Sequence, residues 1–455
     1  VTDTVDAADR PLFGVRTKTP GAARVDVVIL GGRRVVVARL GGPEPSPLTA
    51  ADGADLTAAA ELALAQRLPL IYRLSSPGAD IGEGIVATSS WGRAARALVK
   101  ASGVVPTIVC LEGPAVSGPA LLIGLADFAI LTADSYAFVT GPRTVQQYTG
   151  IPISPEELGG ASRHAHSDGA AAFVVPDAAA TDDILFDLVA MLPSHCDELP
   201  PFAPSADPVD RLNPDLFSLL PDSPTGSYDV RLVAAEIVDD GFLLEPRAAW
   251  APNIVTAFGT IAGAPVGIVA NQPQSLAGTL DIDASQKGAR FVAFCDAFNL
   301  PLLTLVDTPG FYPGKDLEWR GMIRHGAQLA FAYARATVPR VQVTLRKSYG
   351  GAYIVMDSKE MGNDIALAWP SAEIAVMGAK GAAEILHRNA TPEERMRREA
   401  EYQDRLLNPY IAAERGSIDA VIEPSDTRRE VAAAFAMLAN KRERLPRRRH
   451  DNMPL

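Results

Sequence analysis

Cysteine is scarce in this chain. Cys110, Cys196 and Cys295 stand far apart in 455 residues, with no Cys-x-x-Cys pair and no Cys/His cluster. That argues against a disulfide scaffold and against a structural zinc site, and no metal is expected. Cys110 and Cys295 lie in apolar runs and read as small buried residues; the pattern fits a reducing compartment, so the expected location is cytoplasmic. Histidine is also sparse. The six histidines are scattered, and the sequence reveals no activated pairing of one with a cysteine or serine. There is no G-x-S-x-G elbow and no Walker A motif. Positive charge is not in excess. A formal net charge of −12 argues against nucleic acid or an anionic membrane surface as partner. Long apolar runs are missing too. The longest helix-sized one, residues 113–126, is bounded by Glu112 and Asp127, is interrupted by Gly and Pro, and is too short to cross a membrane. The first ten residues lack the basic-then-apolar order of a signal peptide.

What the chain does contain is its own pattern twice. With 47% hydrophobic residues it has apolar material for two full cores. The run Leu68-Pro-Leu-Ile-Tyr-Arg-Leu-Ser-Ser-Pro-Gly78 aligns without a gap to Leu300-Pro-Leu-Leu-Thr-Leu-Val-Asp-Thr-Pro-Gly310. Spacing carries the repeat further: Gly32 to Gly78 spans 46 positions and Gly263 to Gly310 spans 47, while Pro106 to Gly118 and Pro339 to Gly351 each span 12. Each half reads as two apolar strands (27–30 and 35–38; 256–261 and 266–270), then a helix (52–66; 284–298). A buried strand ending in Ser/Thr-Pro-Gly follows, then a second helix (85–102; 317–336). The last element before the turn is a strand (106–111; 339–345) entering a glycine-rich turn. Strands alternating with helices predict parallel pairing and right-handed crossovers, hence an α/β fold. Residues 199–228, rich in Pro, Asp and Ser, read as a linker, and the chain divides into residues 1–222 and 223–455.

The turns are the candidate sites. In the second half, a strand runs into Arg346-Lys347-Ser348-Tyr349-Gly350-Gly351-Ala352-Tyr353. Adjacent glycines at a strand-to-helix turn let a ligand approach backbone N–H groups at a helix start, an arrangement suited to an oxyanion that forms during a reaction. The first half has Ser117-Gly118-Pro119 in the equivalent place, where Pro119 has no N–H to give. Two such turns imply two oxyanion sites, which an enzyme joining two carbonyl-containing substrates could use. Chemistry is therefore expected from backbone dipoles and positioning.

Trp250-Ala-Pro-Asn-Ile-Val255, Gly267-Ile-Val-Ala-Asn-Gln-Pro273, Ala277-Gly-Thr-Leu-Asp281, Asp307-Thr-Pro-Gly-Phe311, residues 346–353, residues 363–370, Ala375-Val-Met-Gly-Ala379 and the tail Arg449-His-Asp-Asn-Met-Pro-Leu455 together closely resemble the carboxyltransferase (beta) subunit of biotin-dependent acyl-CoA carboxylases, of the acetyl-/propionyl-CoA carboxylase type, within the crotonase superfamily. The first half resembles the same family in diverged form: residues 113–128, Phe138-Val-Thr-Gly-Pro142 and Glu157-Leu-Gly-Gly160 match, whereas an Asp-Ser-Gly-Gly-Ala-Arg motif is replaced by Ser75-Ser-Pro-Gly-Ala-Asp80, paired glycines by Ser117-Gly118 and paired histidines by His164-Ala165.

The resemblance implies two homologous crotonase-like (ββα-superhelix) domains from an internal duplication. Acyl-CoA would lie on the first half and carboxybiotin on the second, with carboxyl transfer to the α-carbon of the thioester. Carried over by position, Gly351 and Ala352 would hold the biotin oxyanion, and Ser117 and Gly118 the thioester oxyanion. Gly310, Phe311, Tyr349 and Gly350 would line the biotin side; Gly78, Ala79 and His164 the acyl-CoA side. Ile354 would take part in acyl-chain selection, an apolar residue there resembling acetyl-accepting members. Products of the malonyl-CoA type would feed fatty acid or polyketide synthesis. The chain has no Met-Lys-Met biotin-attachment motif, so the resemblance implies biotin on a separate carrier, an alpha subunit with biotin carboxylase and carrier, and a homo-oligomer, a hexamer in the family. A decarboxylase on the same fold and a non-catalytic paralogue subunit are the alternatives.

Overall fold

Each half of the duplicated sequence opens with an antiparallel pair of strands and continues with parallel ones. The computed structural model describes residues 12–15, 21–223 and 225–454. The first ten residues, on which the signal-peptide expectation rests, and Leu455 of the tail motif lie outside the described residues. The chain forms two units. The first runs to Pro201 and takes in Pro246–Trp250 and Ala297–Asn299; the second comprises Phe202–Glu245, Ala251–Asp296 and the chain from Leu300 onward.

In the first unit, Arg24–Leu30 pairs antiparallel with Arg33–Leu40, which pairs parallel with Leu70–Ser76, and this in turn with Thr107–Val116. Helix Ala50–Gln66 makes the first crossover. It starts on a capping box in which Thr49 and Asp52 each accept from the other's backbone N–H, and it stops where Arg67 turns left-handed. Helix Ile85–Ala101 makes the second. Leu70–Ser76 is buried at every position, as a parallel strand covered on both faces must be.

The second unit repeats this order with Ile254–Ile261, Ala264–Asn271, helix Ile282–Ala297, Leu302–Thr308 and Arg340–Tyr349. The helix expected over 317–336 is two helices, Lys315–Trp319 and Met322–Arg335, because Gly321 takes φ 96° between them.

The last long strand of each unit forks. Thr107–Val116 pairs parallel with Phe128–Thr132 and then, nearer its end, with Tyr136–Phe138. Arg340–Tyr349 does the same with Ile365–Ala368 and then Glu373–Ala375. In each unit the register slips just before the fork, between Leu74 and Ser76 and between Val306 and Thr308. The mixed α/β fold with two sheets of mainly parallel strands is the one the sequence predicts.

The presumed linker is not one. Leu216, Leu220 and Tyr228 belong to the second unit's core with Val233, Val255 and Leu303. The Ala203 N–H donates to the Gly263 carbonyl at 2.8 Å. Its apolar residues follow no period, so the sequence pattern does not reveal their burial.

Candidate functional site

The fork of Arg340–Tyr349 delivers the chain into helix Gly350–Val355. Gly350 has φ 60°, which a side chain rarely tolerates, and a Cβ there would stand 3.1 Å from the Val376 carbonyl. Among the described residues no side chain caps this helix start, the place where a helix leaves backbone N–H groups without an intrahelical partner. Gly351 is exposed; Ala352 is fully buried. Of the pair expected to donate, only Gly351 is open to a ligand arriving from solvent.

The remaining second-half residues assemble around this turn. Phe311 packs beneath Gly351, its ring 3.6 Å from where a Cβ would stand. Gly310 has φ 140° with nothing near its Cβ position, so its backbone angle is what requires glycine there. Its carbonyl accepts from the Leu280 N–H at 3.1 Å, which ties the Pro-Gly loop down. The Tyr349 hydroxyl donates to Glu373; burial, and then that carboxylate, hold the phenol above its ordinary range. Ile354 is half-buried against the small cluster that includes Tyr353, Ala366 and Ala368. The structure thus brings together Gly310, Phe311, Tyr349, Gly350, Gly351 and Ala352, with Ile354 one turn further on.

The first unit builds the same device with different parts. Ser117 has φ 61° and ψ −118° ahead of helix Gly118–Leu125, a backbone shape reserved largely for glycine. Its N–H donates to the Phe138 carbonyl at 2.9 Å. The expectation that Ser117 offers a backbone donor is therefore corrected: that N–H is spent within the fork. Matching φ aligns Ser117 with Gly350, which sets Gly118 opposite Gly351 and Pro119 opposite Ala352. Pro119 has no N–H, so Gly118 holds the remaining donor. Gly118 is buried, with the Trp91 indole packed on it: a Cβ would meet Trp91 Cδ1 at 2.5 Å. The Pro-Gly loop matches its twin, since the Gly78 carbonyl accepts from the Leu48 N–H at 2.8 Å and Ala79 bridges to Leu48.

His164 is not a free base. Its Nε2 meets the Ala137 carbonyl at 2.8 Å and its Nδ1 meets Asp168 at 2.9 Å. Hydrogen bonding to Asp168 raises its pKa above the ordinary histidine value, against the effect of burial. It holds strand Tyr136–Phe138, whose Phe138 carbonyl in turn holds Ser117. Trp91 is not singled out by the sequence, and Phe138 stands there only as the first residue of a matching motif, with no role attached. The repeat could have flagged them, because the first-half turn departs from its twin.

No helix among the described residues is long and apolar enough to cross a membrane.

The family model for the carboxyl transferase domain matches residues 30–453. The propionyl-CoA carboxylase beta chain of Saccharopolyspora erythraea is 47% identical over 414 residues, covering 87% of this chain and 76% of that protein. The methylmalonyl-CoA carboxyltransferase 12S subunit of Propionibacterium freudenreichii is 45% identical over 400 residues, again covering 87% of this chain and 76% of the relative. The structure of transcarboxylase 12S solved with methylmalonyl-CoA and methylmalonic acid bound matches with a TM-score of 0.94 at 40% identity, over 99% of this chain and 91% of that one. Extensive identity, a matched fold and the duplicated turn agree, and the chain belongs to the carboxyl transferase family.

Proposed function

We propose that this chain is the carboxyltransferase subunit of a biotin-dependent acyl-CoA carboxylase, moving a carboxyl group from carboxybiotin to the α-carbon of an acyl-CoA thioester. We assign carboxybiotin to the second half, residues 223–455, and acyl-CoA to the first, residues 1–222. The observation that carries the reading is the uncapped, exposed turn at Gly351, placed where a strand forks and backed by Phe311. A small polar head can reach the backbone there, because the position has no side chain to obstruct it.

Carboxybiotin, when docked, supplies the activated carboxyl group. The residues that would receive it are Gly310, Phe311, Tyr349, Gly350, Gly351 and Ala352. Gly351 presents its N–H to the ureido oxygen and lowers the cost of negative charge at that atom. Removing one such donor from a preorganised site typically costs about 10²–10³ in rate. Gly118 is the corresponding N–H for the thioester carbonyl. With both histidine nitrogens of His164 engaged, no side-chain base is held free at the acyl side by this residue, and backbone groups carry the electrostatic work.

Partners follow from the same reading. A separate alpha subunit would bring biotin carboxylase and the biotin carrier. The relative with the matching fold is described in a hexamer assembly, and a homohexamer is proposed here. The test is fixation of labelled bicarbonate over a panel of acyl-CoA thioesters with the alpha subunit present. Label in a carboxylated acyl-CoA supports the reading; no label with any thioester overturns it.

A second reading draws on the first unit. Ser117 has spent its N–H, Pro119 has none and Gly118 is buried. On this reading the chain supplies a biotin side and works beside a paralogue that supplies the acyl side. Transfer by the purified chain with only an alpha subunit excludes it.

A further inference from the structure

Four segments of the second unit meet at one buried carboxylate. Asp307, near the end of strand Leu302–Thr308, is 2% exposed. Its Oδ2 accepts from Arg346 Nε at 3.0 Å and from the Tyr228 hydroxyl at 2.9 Å, and its Oδ1 accepts from the Lys347 N–H at 3.1 Å. Its own N–H donates to Asn271 Oδ1 at 3.3 Å. Its carbonyl faces Gly278 so closely that a Cβ there would come within 2.5 Å. Arg346 also donates to the Gly226 carbonyl at 2.9 Å and lies over the Tyr228 ring, 5.2 Å from its centroid.

Asp307 stands three residues before Gly310, and Lys347 three before Gly350. One carboxylate therefore joins the roots of the Pro-Gly loop and the glycine turn. A carboxylate taken out of water is costly unless paired; burial raises the Asp307 pKa, and Arg346 acts against that shift.

The first unit shows that the fold does not need this pair. Strand register sets Ser76 opposite Ala115 and Thr308 opposite Ser348, so Ser75 stands where Asp307 does and Gly113 where Arg346 does. There the two segments close on each other directly: a Cβ on Gly113 would lie 2.4 Å from Ser75 Oγ, a buried hydroxyl with no hydrogen-bond partner among the described residues. Small residues stand at these two positions, and the first unit joins the same two strands just before them, where Arg73 Nε donates to Glu112 at 2.8 Å. What sets the second unit apart is where its charged pair stands, at the roots of the Pro-Gly loop and of the glycine turn.

We propose that Asp307 is a positioning residue of the biotin-side turn, its charge fixing the Gly310–Phe311 loop against the Tyr349–Ala352 turn through Arg346 and the Lys347 N–H. This rests on the reading of that turn given above. Nothing in the proposal requires Asp307 to touch a substrate.

The test uses Asp307→Asn and the double variant Asp307→Asn with Arg346→Met, in the full chain. Asn keeps an acceptor for the Lys347 N–H but removes the charge that faces Arg346. In the free protein, amide hydrogen exchange over residues 347–356 is expected to quicken at least about tenfold in both variants, with strand Ile254–Ile261 unchanged. With the alpha subunit and free biotin in place of the carrier, kcat/KM for biotin is expected to fall at least tenfold while KM for acyl-CoA stays within twofold. The double variant removes the stranded arginine charge, so its Tm is expected to recover while its biotin kcat/KM does not. Recovery of both would show that Asp307 only neutralises Arg346 and would overturn the proposal, as would unchanged exchange over 347–356. If the wild-type chain itself fails to transfer, the function reading fails, and the exchange comparison alone decides the role of Asp307.

Discussion

Ser117 and Gly350 hold the same left-handed backbone angle, φ 61° and φ 60°, at the same point of two copies of one fork. Only one of them is glycine. Serine in this conformation carries strain of order 1–3 kcal/mol, offset by the 0.5–1 kcal/mol of unfolded-state entropy that glycine would add. Ser117→Gly is therefore expected to stabilise the first unit by roughly 1 kcal/mol, seen as a higher thermal midpoint. An unchanged or lower midpoint would contradict the strain.

Gly351 differs in kind. Its φ is not left-handed, and a Cβ there would make only ordinary contact with Phe311 at 3.6 Å. A side chain is tolerated by the fold but stands where a ligand must approach. Gly351→Val is expected to abolish transfer from carboxybiotin, a loss of roughly 10²–10³-fold or more, with its Tm close to that of the wild type. His166→Ala, at an exposed ring bonded to the Ser162 carbonyl, is expected to leave transfer nearly unchanged. Full activity in the Gly351 variant would remove the oxyanion assignment.

His164 makes the first unit sensitive to pH. Its pKa is raised in the fold by Asp168, so its contribution to stability is fully present below the ordinary histidine value and is lost as pH rises through the raised one. The thermal midpoint of the wild type is expected to fall more steeply between pH 6 and pH 9 than that of His164→Gln. Parallel profiles would show that the His164–Asp168 pair contributes nothing.

Ile354 sits one turn beyond the donor and packs into an apolar cluster. One such position changes selectivity by about 1–3 kcal/mol at most. Ile354→Asp is expected to move the kcat/KM ratio towards propionyl-CoA over acetyl-CoA by about tenfold. A ratio that does not move would separate this residue from the acyl pocket.

Much of the fold is legible in the sequence because duplication prints every element twice, and two weak signals at one spacing reinforce each other. The buried strands Leu70–Ser76 and Leu302–Thr308 show as apolar runs closed by Pro-Gly. The packed segment before Tyr228 does not show, because its apolar residues have no period. The turn at Gly350–Ala352 is legible as adjacent glycines at a strand end. The state of its twin is not. Ser117 loses its donor to Phe138, 21 positions further along the chain, and Gly118 is covered by Trp91 from a neighbouring helix. Such contacts depend on how the strand forks, which no local pattern encodes. Asp307 did leave a trace: an acid in a strand that is otherwise nearly all apolar needs a buried partner, although the trace does not say that the partner is Arg346.

The paired forks also have an evolutionary consequence. The two turns are encoded in separate stretches of one gene, so a substitution at Ser117 or Pro119 leaves Gly350, Gly351 and Ala352 as they are. One turn can therefore change its side chain and its backbone donor while its twin keeps both, a freedom that a single shared turn would not allow.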